Sequence, residues 1–219
     1  MNIFQDRNDA GRQLALRLQK YSNRPDTIVL ALPRGGVPVG FEVAKALHSP
    51  LDVFIVRKLG FPGHPEYAMG AIASGGSYYL NEQAIKKLAV PKATVQNIID
   101  CEWKELERRE REYRQNRPKA ELKGRTVLVV DDGMATGASM RAAIHAIKGE
   151  KPRELIVAVP VIAADSQKEL APLVDGIVYV LAPNPFRSVG EWYAEFDQTT
   201  DEQVLRALFS SPKGVHSSE

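Results

Sequence analysis

The chain has one cysteine, Cys101, among 219 residues. A single thiol excludes an internal disulfide and any cysteine-based metal cluster. The four histidines (His48, His64, His145 and His216) are scattered and show no metal-ligand spacing. Charge of one sign is also lacking. The 29 Lys and Arg against 27 Asp and Glu leave a net charge of +2, which argues against a large nucleic-acid footprint or an acidic membrane surface. No apolar run approaches the roughly 20 residues of a membrane span. The opening MNIFQDRNDAGRQ carries acids early and no apolar core, so no signal peptide is expected and cytoplasmic residence is the default. Internal repeats and low-complexity tracts do not occur. Two nucleotide-binding templates are missing as well, since there is neither a G-x-x-x-x-G-K-[ST] string nor a G-x-G-x-x-G string.

What is present is an ordinary soluble composition, 44% hydrophobic and 26% charged, of a length that suits one α/β domain with an elaboration. Residues 1–209 are read as that domain, and the tail 210–219 as disordered. An amphipathic helix is expected from Arg7 to Tyr21, with Ala10, Leu14 and Leu18 on one face. Ile28–Leu32 reads as a buried strand, ending at Pro33-Arg34-Gly35-Gly36, with a helix through Val39–Leu47. Val53–Val56 reads as a second strand ending at Arg57-Lys58, and residues 59–66, LGFPGHPE, as an exposed loop. Met69–Ala73 and Tyr78–Leu80 form a strand pair around Ser74–Ser77, and Asn81 caps a short helix to Ala89.

Pro91 precedes a long helix over 92–116. Its second half holds six acids and six bases between Asp100 and Arg117, with Glu105–Arg109, Glu107–Arg111 and Glu110–Arg114 at the favourable i,i+4 spacing. A solvated face explains this better than nucleic-acid binding, and a partner helix has no support. Strands at 126–131, 154–161 and 176–181 then alternate with helices at 138–148 and 165–173. Such alternation predicts a parallel β-sheet flanked by helices, and runs such as VLVV and LIVAVPVI fit strands buried on both faces. Residues 59–123 would be an insertion of loop, hairpin and long helix. Ligands of such sheets bind beyond the carboxyl ends of the strands.

The stretch VVDDGMATGASM, Val129 to Met140, falls at such an end. It combines a strand terminus, the adjacent carboxylates Asp131 and Asp132, a short loop with Gly133 and Gly137, and a helix start near Ala138. Free amides at a helix N-terminus bind anions. Carboxylates beside an anion site suit a ligand that carries a phosphate and sugar hydroxyls. The plainer alternative is a turn, with Asp132 and Ser139 serving only the backbone.

This segment resembles the ribose-phosphate loop of the type I phosphoribosyltransferases, which use phosphoribosyl pyrophosphate (PRPP) as donor. Together PRGGVPV, RKLG…HPEYAMGAI and VVDDGMATGASM are similar to an uncharacterised branch described as predicted phosphoribosyltransferases. The resemblance implies that Asp131 and Asp132 bind the ribose hydroxyls and that Ala135, Thr136, Gly137, Ala138 and Ser139 cradle the 5′-phosphate. Pro33–Val37 resembles the family's pyrophosphate loop, where a non-proline cis peptide is expected near Arg34; a tight turn is the alternative. Arg34, Gly35, Gly36, Arg57 and Lys58 would then meet pyrophosphate, with Arg34, Lys58, Asp131 and Asp132 as the catalytic set. Mg²⁺ is the implied cofactor, held mainly through PRPP, with Asp131 and Asp132 as candidate ligands.

The implied reaction transfers phosphoribose to a nitrogen nucleophile of nucleobase-like character. A non-catalytic PRPP sensor on the same fold is the alternative. Family members acting on 6-oxopurines carry an aspartate where this chain has Ala135, which argues against such an acceptor. Residues 183–200 are the candidate hood over the acceptor, with Glu66, Trp192 and Phe196 as candidate contacts. The hood's aromatics can equally form its own core. The expected partners are PRPP and a small-molecule acceptor, with no nucleic acid and no membrane; a homodimer is common in the family.

Overall fold

The computed structural model describes residues 4–115 and 117–211, apart from the side chains of Pro65 and Glu66. The fold begins with α1 (Arg7–Arg17), which packs across α2 (Gly36–Leu47). Asp6 caps α1 through a bond from the Asp9 amide, and a short 3-10 turn over Gln19–Tyr21 takes the place of the last helical turn expected from the sequence.

Five parallel strands form the main sheet: β1 (Thr27–Ala31), β2 (Leu51–Val53), β6 (Thr126–Val130), β7 (Glu154–Val161) and β8 (Gly176–Leu181). Their spatial order is β2-β1-β6-β7-β8, and every pairing is parallel. From β1 the chain returns through α2 to β2 on one side. From β6 it returns through α5 (Ala138–Gly149) to β7 on the other side, and a further helix, α6 (Ala164–Leu170), leads to β8. Right-handed crossovers running in opposite directions place their helices on opposite faces. One core accordingly joins Leu14, Val39, Val43 and Leu47 to Val29 and Val130, while the other joins Met140, Ala143, Ile144 and Ile147 to Val127 and Val129. The order reverses between β1 and β6, the switch point where a crevice opens beyond the strand ends. The expected parallel sheet flanked by helices is therefore observed.

A second, antiparallel sheet holds β3 (Val56–Phe61), β4 (His64–Ala73) and β5 (Ser77–Leu80). Here the sequence reading needs correction. Val53–Val56 is not one strand: β2 stops at Val53, and the chain changes sheets at Phe54-Ile55, where the Ser74 side chain accepts the Ile55 amide. Phe54 packs into one core and Ile55 into the other, so a bend reads in sequence as an uninterrupted apolar run. Residues 59–66 are not an exposed loop either. Phe61 pairs with His64 and only Pro62-Gly63 turn, with Gly63 at φ +77° as a Pro-Gly turn requires.

The Ser74–Ser77 turn is formed as expected, and Asn81 caps α3 (Glu82–Lys87). The long helix α4 (Lys92–Arg114) buries Val95, Ile99, Leu106 and Tyr113 and leaves most of its charges outside, apart from Arg114, which is largely buried and donates to the Val53 carbonyl. Arg108 and Arg109 hold Glu105 down to about 2, a favourable but solvent-exposed network. A C-terminal helix, α7 (Asp201–Ser210), packs on α2 and α4, with Thr200 and Gln203 forming a capping box. Ser210 thus ends a helix, Ser211 is buried, and 212–219 of the expected tail lie outside the described residues. No helix among the described residues is long and apolar enough to cross a membrane.

Candidate active site

β1 and β6 are neighbours, so the loops that leave their carboxyl ends emerge side by side. Leu32 donates its amide to the Val130 carbonyl at the point where they part. On the β1 side stand Pro33-Arg34, joined by a cis peptide, then Gly35 and Gly36 at the start of α2. On the β6 side stand Asp131 and Asp132. The two loops touch. A Cβ placed on Gly35 would lie 2.7 Å from Asp132 Cγ, and one on Gly36 would lie 2.8 Å from Asp131 Cα. Gly35 has ordinary helical angles, φ −59° and ψ −36°, so it is the carboxylate's proximity that requires a glycine there.

Each acid is half committed. Asp131 Oδ1 accepts the Asp132 amide at 2.9 Å. Asp132 Oδ2 accepts from Arg7 Nε at 2.8 Å. The other oxygen of each has no partner among the described residues. Burial pushes the Asp131 carboxyl well above the usual carboxylate range, and the Asp132 charge adds to that. Burial raises Asp132 as well, with the Arg7 guanidinium opposing it.

Beyond the acids the chain bridges to the end of β7 and the residues after it, with Met134 donating to Val161 and Ala163 donating to Met134. Gly137 then turns with φ +66° and caps α5. Among the described residues no acceptor takes the amides of residues 135–140. Ala135, Thr136, Gly137, Ala138 and Ser139 therefore form a row of free donors at a helix N-terminus, an arrangement of the kind that can hold an anion. Ser166, on α6, donates its hydroxyl to the Ala135 carbonyl and fixes the loop from behind.

The other candidates divide. Arg34 lies at the crevice, but its Nη1 leans toward Asp201 Oδ1 at 3.8 Å, and that carboxylate also takes the Tyr113 hydroxyl at 2.5 Å. Arg57 and Lys58 do not end a parallel strand; they lie within β3. Arg57 donates to Glu102 of α4 at 2.5 Å, a tie between sheet and helix. Lys58 points to the opposite face of β3 and is exposed. The side chain of Glu66 lies outside the described residues.

Residues 183–196 fold over the acids. Val189 packs where Gly133 lacks a side chain, with a Cβ there only 3.0 Å from Val189 Cγ2. Tyr193 is buried against Phe4 and donates its hydroxyl to the Asp132 carbonyl at 2.5 Å, while burial pushes that hydroxyl's pKa far up. Trp192 is half-buried, and its Nε1 is buried without a partner among the described residues. Phe196 keeps an exposed edge beneath Arg7. The hood's aromatics thus serve partly as its own core.

Two residues escaped the sequence reading, Arg7 and Ser166. Each acts across a long sequence separation, and no local motif marks either. Among the described residues no three His, Cys, Asp or Glu side chains gather as a metal site.

The family model "Phosphoribosyl transferase domain" matches residues 70–190, which include the Asp131–Ser139 loop but not Arg34–Gly36. A protein of Mycobacterium tuberculosis named "Putative phosphoribosyl transferase", found in two strains, is 42% identical over 208 residues, 95% of this chain and 47% of its own length. The chain therefore spans about half the length of the curated relatives it matches. The crystal structure of TT1426 from Thermus thermophilus superposes with a TM-score of 0.83 at 40% identity, covering 95% of this chain and 99% of that one. The structure of the AQ2163 protein of Aquifex aeolicus shares the fold alone, with a TM-score of 0.50 at 13% identity over 96% of this chain and 87% of that one. With more than half its length matched by the family model and a relative this similar over nearly all of it, the chain belongs to the phosphoribosyl transferase domain family.

Proposed function

We propose that the protein transfers the phosphoribosyl group of PRPP to a nitrogen nucleophile of nucleobase-like character and releases pyrophosphate, with Mg²⁺ as cofactor. The acid pair carries this reading. Asp131 and Asp132 lie side by side, partly buried, each with one uncommitted oxygen, next to a row of free amides. Two acceptors beside an anion cradle match a vicinal diol on a sugar phosphate. In this reading Ala135–Ser139 hold the 5′-phosphate and the two acids hold the ribose hydroxyls.

The bond that forms joins the acceptor nitrogen to the anomeric carbon, and the bond that breaks releases the pyrophosphate oxygen with its electron pair. Positioning and charge neutralisation do most of the work in such a displacement. In this reading the amides of Arg34 and Gly35 and the Arg34 guanidinium receive the leaving group; the Gly36 amide is taken by the Leu32 carbonyl, and Lys58, exposed on β3, is a second candidate cation. The β3–β4 hairpin, rather than a loose loop, is the element that would cover the site and exclude water. Asp131 and Asp132 are hard oxygen donors that fit Mg²⁺, and two of them suit an ion taking its remaining ligands from PRPP and water. When bound, Mg²⁺ supplies positive charge against the departing pyrophosphate. The hood, with Trp192 and Phe196, borders the acceptor. Ala135 offers no base at the position where 6-oxopurine enzymes carry one, so the acceptor nitrogen must arrive nucleophilic.

The test is pyrophosphate release from PRPP over a panel of bases and small amines. Release with one of them, lost in the Arg34→Met variant, is the expected result. A second reading, a PRPP-binding sensor, draws on the engagement of Arg34 by Asp201 and of Arg57 by Glu102. Binding of PRPP with no turnover across the panel would select it.

A further inference from the structure

Arg7 opens α1 at the edge of the molecule, yet its side chain is only 12% exposed. Three groups, from two segments of the chain, close on its guanidinium. Nε donates to Asp132 Oδ2 at 2.8 Å, Nη1 donates to the main-chain carbonyl of Asp197 at 2.6 Å, and the group lies 3.9 Å over the Phe196 ring. Immobilising an arginine this fully costs it its rotamer freedom. Its partner, Asp132, is itself only 16% exposed, so removing the guanidinium would leave a buried, half-satisfied carboxylate.

The geometry of that carboxylate is what matters. Arg7 takes Oδ2 on one side, and the bare backbone of Gly35 presses against it on another. Tyr193 holds the Asp132 main chain from the hood. The freedom left to the side chain is one oxygen, Oδ1. Asp131 is arranged in parallel, with Oδ1 taken by the Asp132 amide. The pair therefore presents one oxygen from each acid, the number that two vicinal hydroxyls need.

We propose that Arg7 is a positioning residue for sugar-diol recognition: it fixes Asp132 so that Oδ1 accepts a hydroxyl of the ribose 5-phosphate moiety, and it stays bonded when the sugar binds. The inference rests on the reading of the acid pair as ribose ligands. It also makes the segment from Phe4 to Arg7 part of the binding machinery. Phe4 exchanges main-chain bonds with Trp192 and Ala194, so the start of the chain and the hood reach Asp132 as one unit.

Ribose 5-phosphate is the probe, since it carries the diol and the phosphate without pyrophosphate. Calorimetric titration of the wild type, Arg7→Met, Asp132→Asn and the double variant gives a cycle. Arg7→Met is expected to weaken binding roughly tenfold. The double variant is expected to bind no more weakly than Asp132→Asn alone, because Arg7 acts only through that carboxylate. Inorganic phosphate, which needs only the loop amides, should bind all four proteins equally. Losses that multiply in the double variant, or an unchanged affinity in Arg7→Met, would overturn the proposal. A wild-type protein that does not bind ribose 5-phosphate overturns the ribose reading itself, and no variant is needed to see it. Should Arg7→Met not fold, the Arg7 Nε–H signal in the nuclear magnetic resonance spectrum of the wild type decides. Continued protection from exchange after ribose 5-phosphate is added supports a positioning role, whereas release of that proton means the sugar displaces the guanidinium and refutes it.

Discussion

Gly35→Ala isolates the contact between the two strand-end loops. The backbone at Gly35 is helical, so alanine meets no conformational penalty there. Its methyl group would lie 2.7 Å from Asp132 Cγ, against a normal carbon separation of about 3.5–4.0 Å. The carboxylate must retreat by roughly 1 Å to restore that separation. Arg7 donates to Oδ2, the same oxygen that faces the new methyl group, at 2.8 Å, so displacing the carboxylate breaks a charge-assisted bond worth about 1.5–3 kcal/mol. Alanine's lower unfolded-state entropy returns about 0.4–1 kcal/mol. The net loss is about 1–2 kcal/mol, a fall in Tm of about 2–8 °C for a chain of this size.

Gly149→Ala is the comparator, because a Cβ there meets nothing within 4 Å. It should stabilise slightly, by about 0.5–1 kcal/mol. Calorimetry with ribose 5-phosphate supplies the second readout, and a loss of about tenfold or more is expected for Gly35→Ala alone. A weakened helix cap would lower Tm without touching that affinity. If Gly35→Ala matches Gly149→Ala in both measurements, Asp132 is not held against Gly35 and the loop contact has been misjudged.

Three further expectations follow from the same geometry. The Asp131 carboxyl is pushed up in the fold, so its contribution to stability is full below the unfolded value of about 3.9 and is lost as pH rises through its folded value. Asp131→Asn should therefore raise the ligand-free Tm at neutral pH, with the gap closing toward pH 4, and abolish ribose 5-phosphate binding; a pH-independent gap would contradict the burial argument. Arg57→Met should cost about 1 kcal/mol in denaturant unfolding, through the lost tie to Glu102, and leave PRPP affinity within about twofold; a tenfold loss of affinity would return Arg57 to the pyrophosphate site. Ser166→Ala should weaken inorganic phosphate binding a few-fold by freeing the Ala135 carbonyl, whereas an unchanged affinity would show that the loop is rigid without it.

The parallel sheet was legible because its strands are buried on both faces and read as apolar runs, as in Thr126–Val130 and Glu154–Val161. The phosphate-loop candidates were legible because glycines, acids and a helix start fall within one short string. Three features were hidden for physical reasons. Phe54 and Ile55 are both buried, so the change of sheets leaves no polar break. Arg57 looked free because its partner, Glu102, lies on another element and within a charge-rich helix. Arg7 reaches Asp132 across a separation of 125 residues, with no spacing rule to announce it. Gly35 and Gly36 were visible as glycines, but only the structure ties each of them to an acid of the other loop.

The central claim is that Asp131 and Asp132, beside the Ala135–Ser139 amides, bind a phosphorylated ribose. Titrating PRPP with Mg²⁺ into the wild type and into the Asp131→Ala, Asp132→Ala double variant tests it most directly. Binding by the wild type, and its loss in a double variant that still unfolds cooperatively, is the predicted result. No heat from the wild type at millimolar PRPP, or equal affinity in the two proteins, would contradict it.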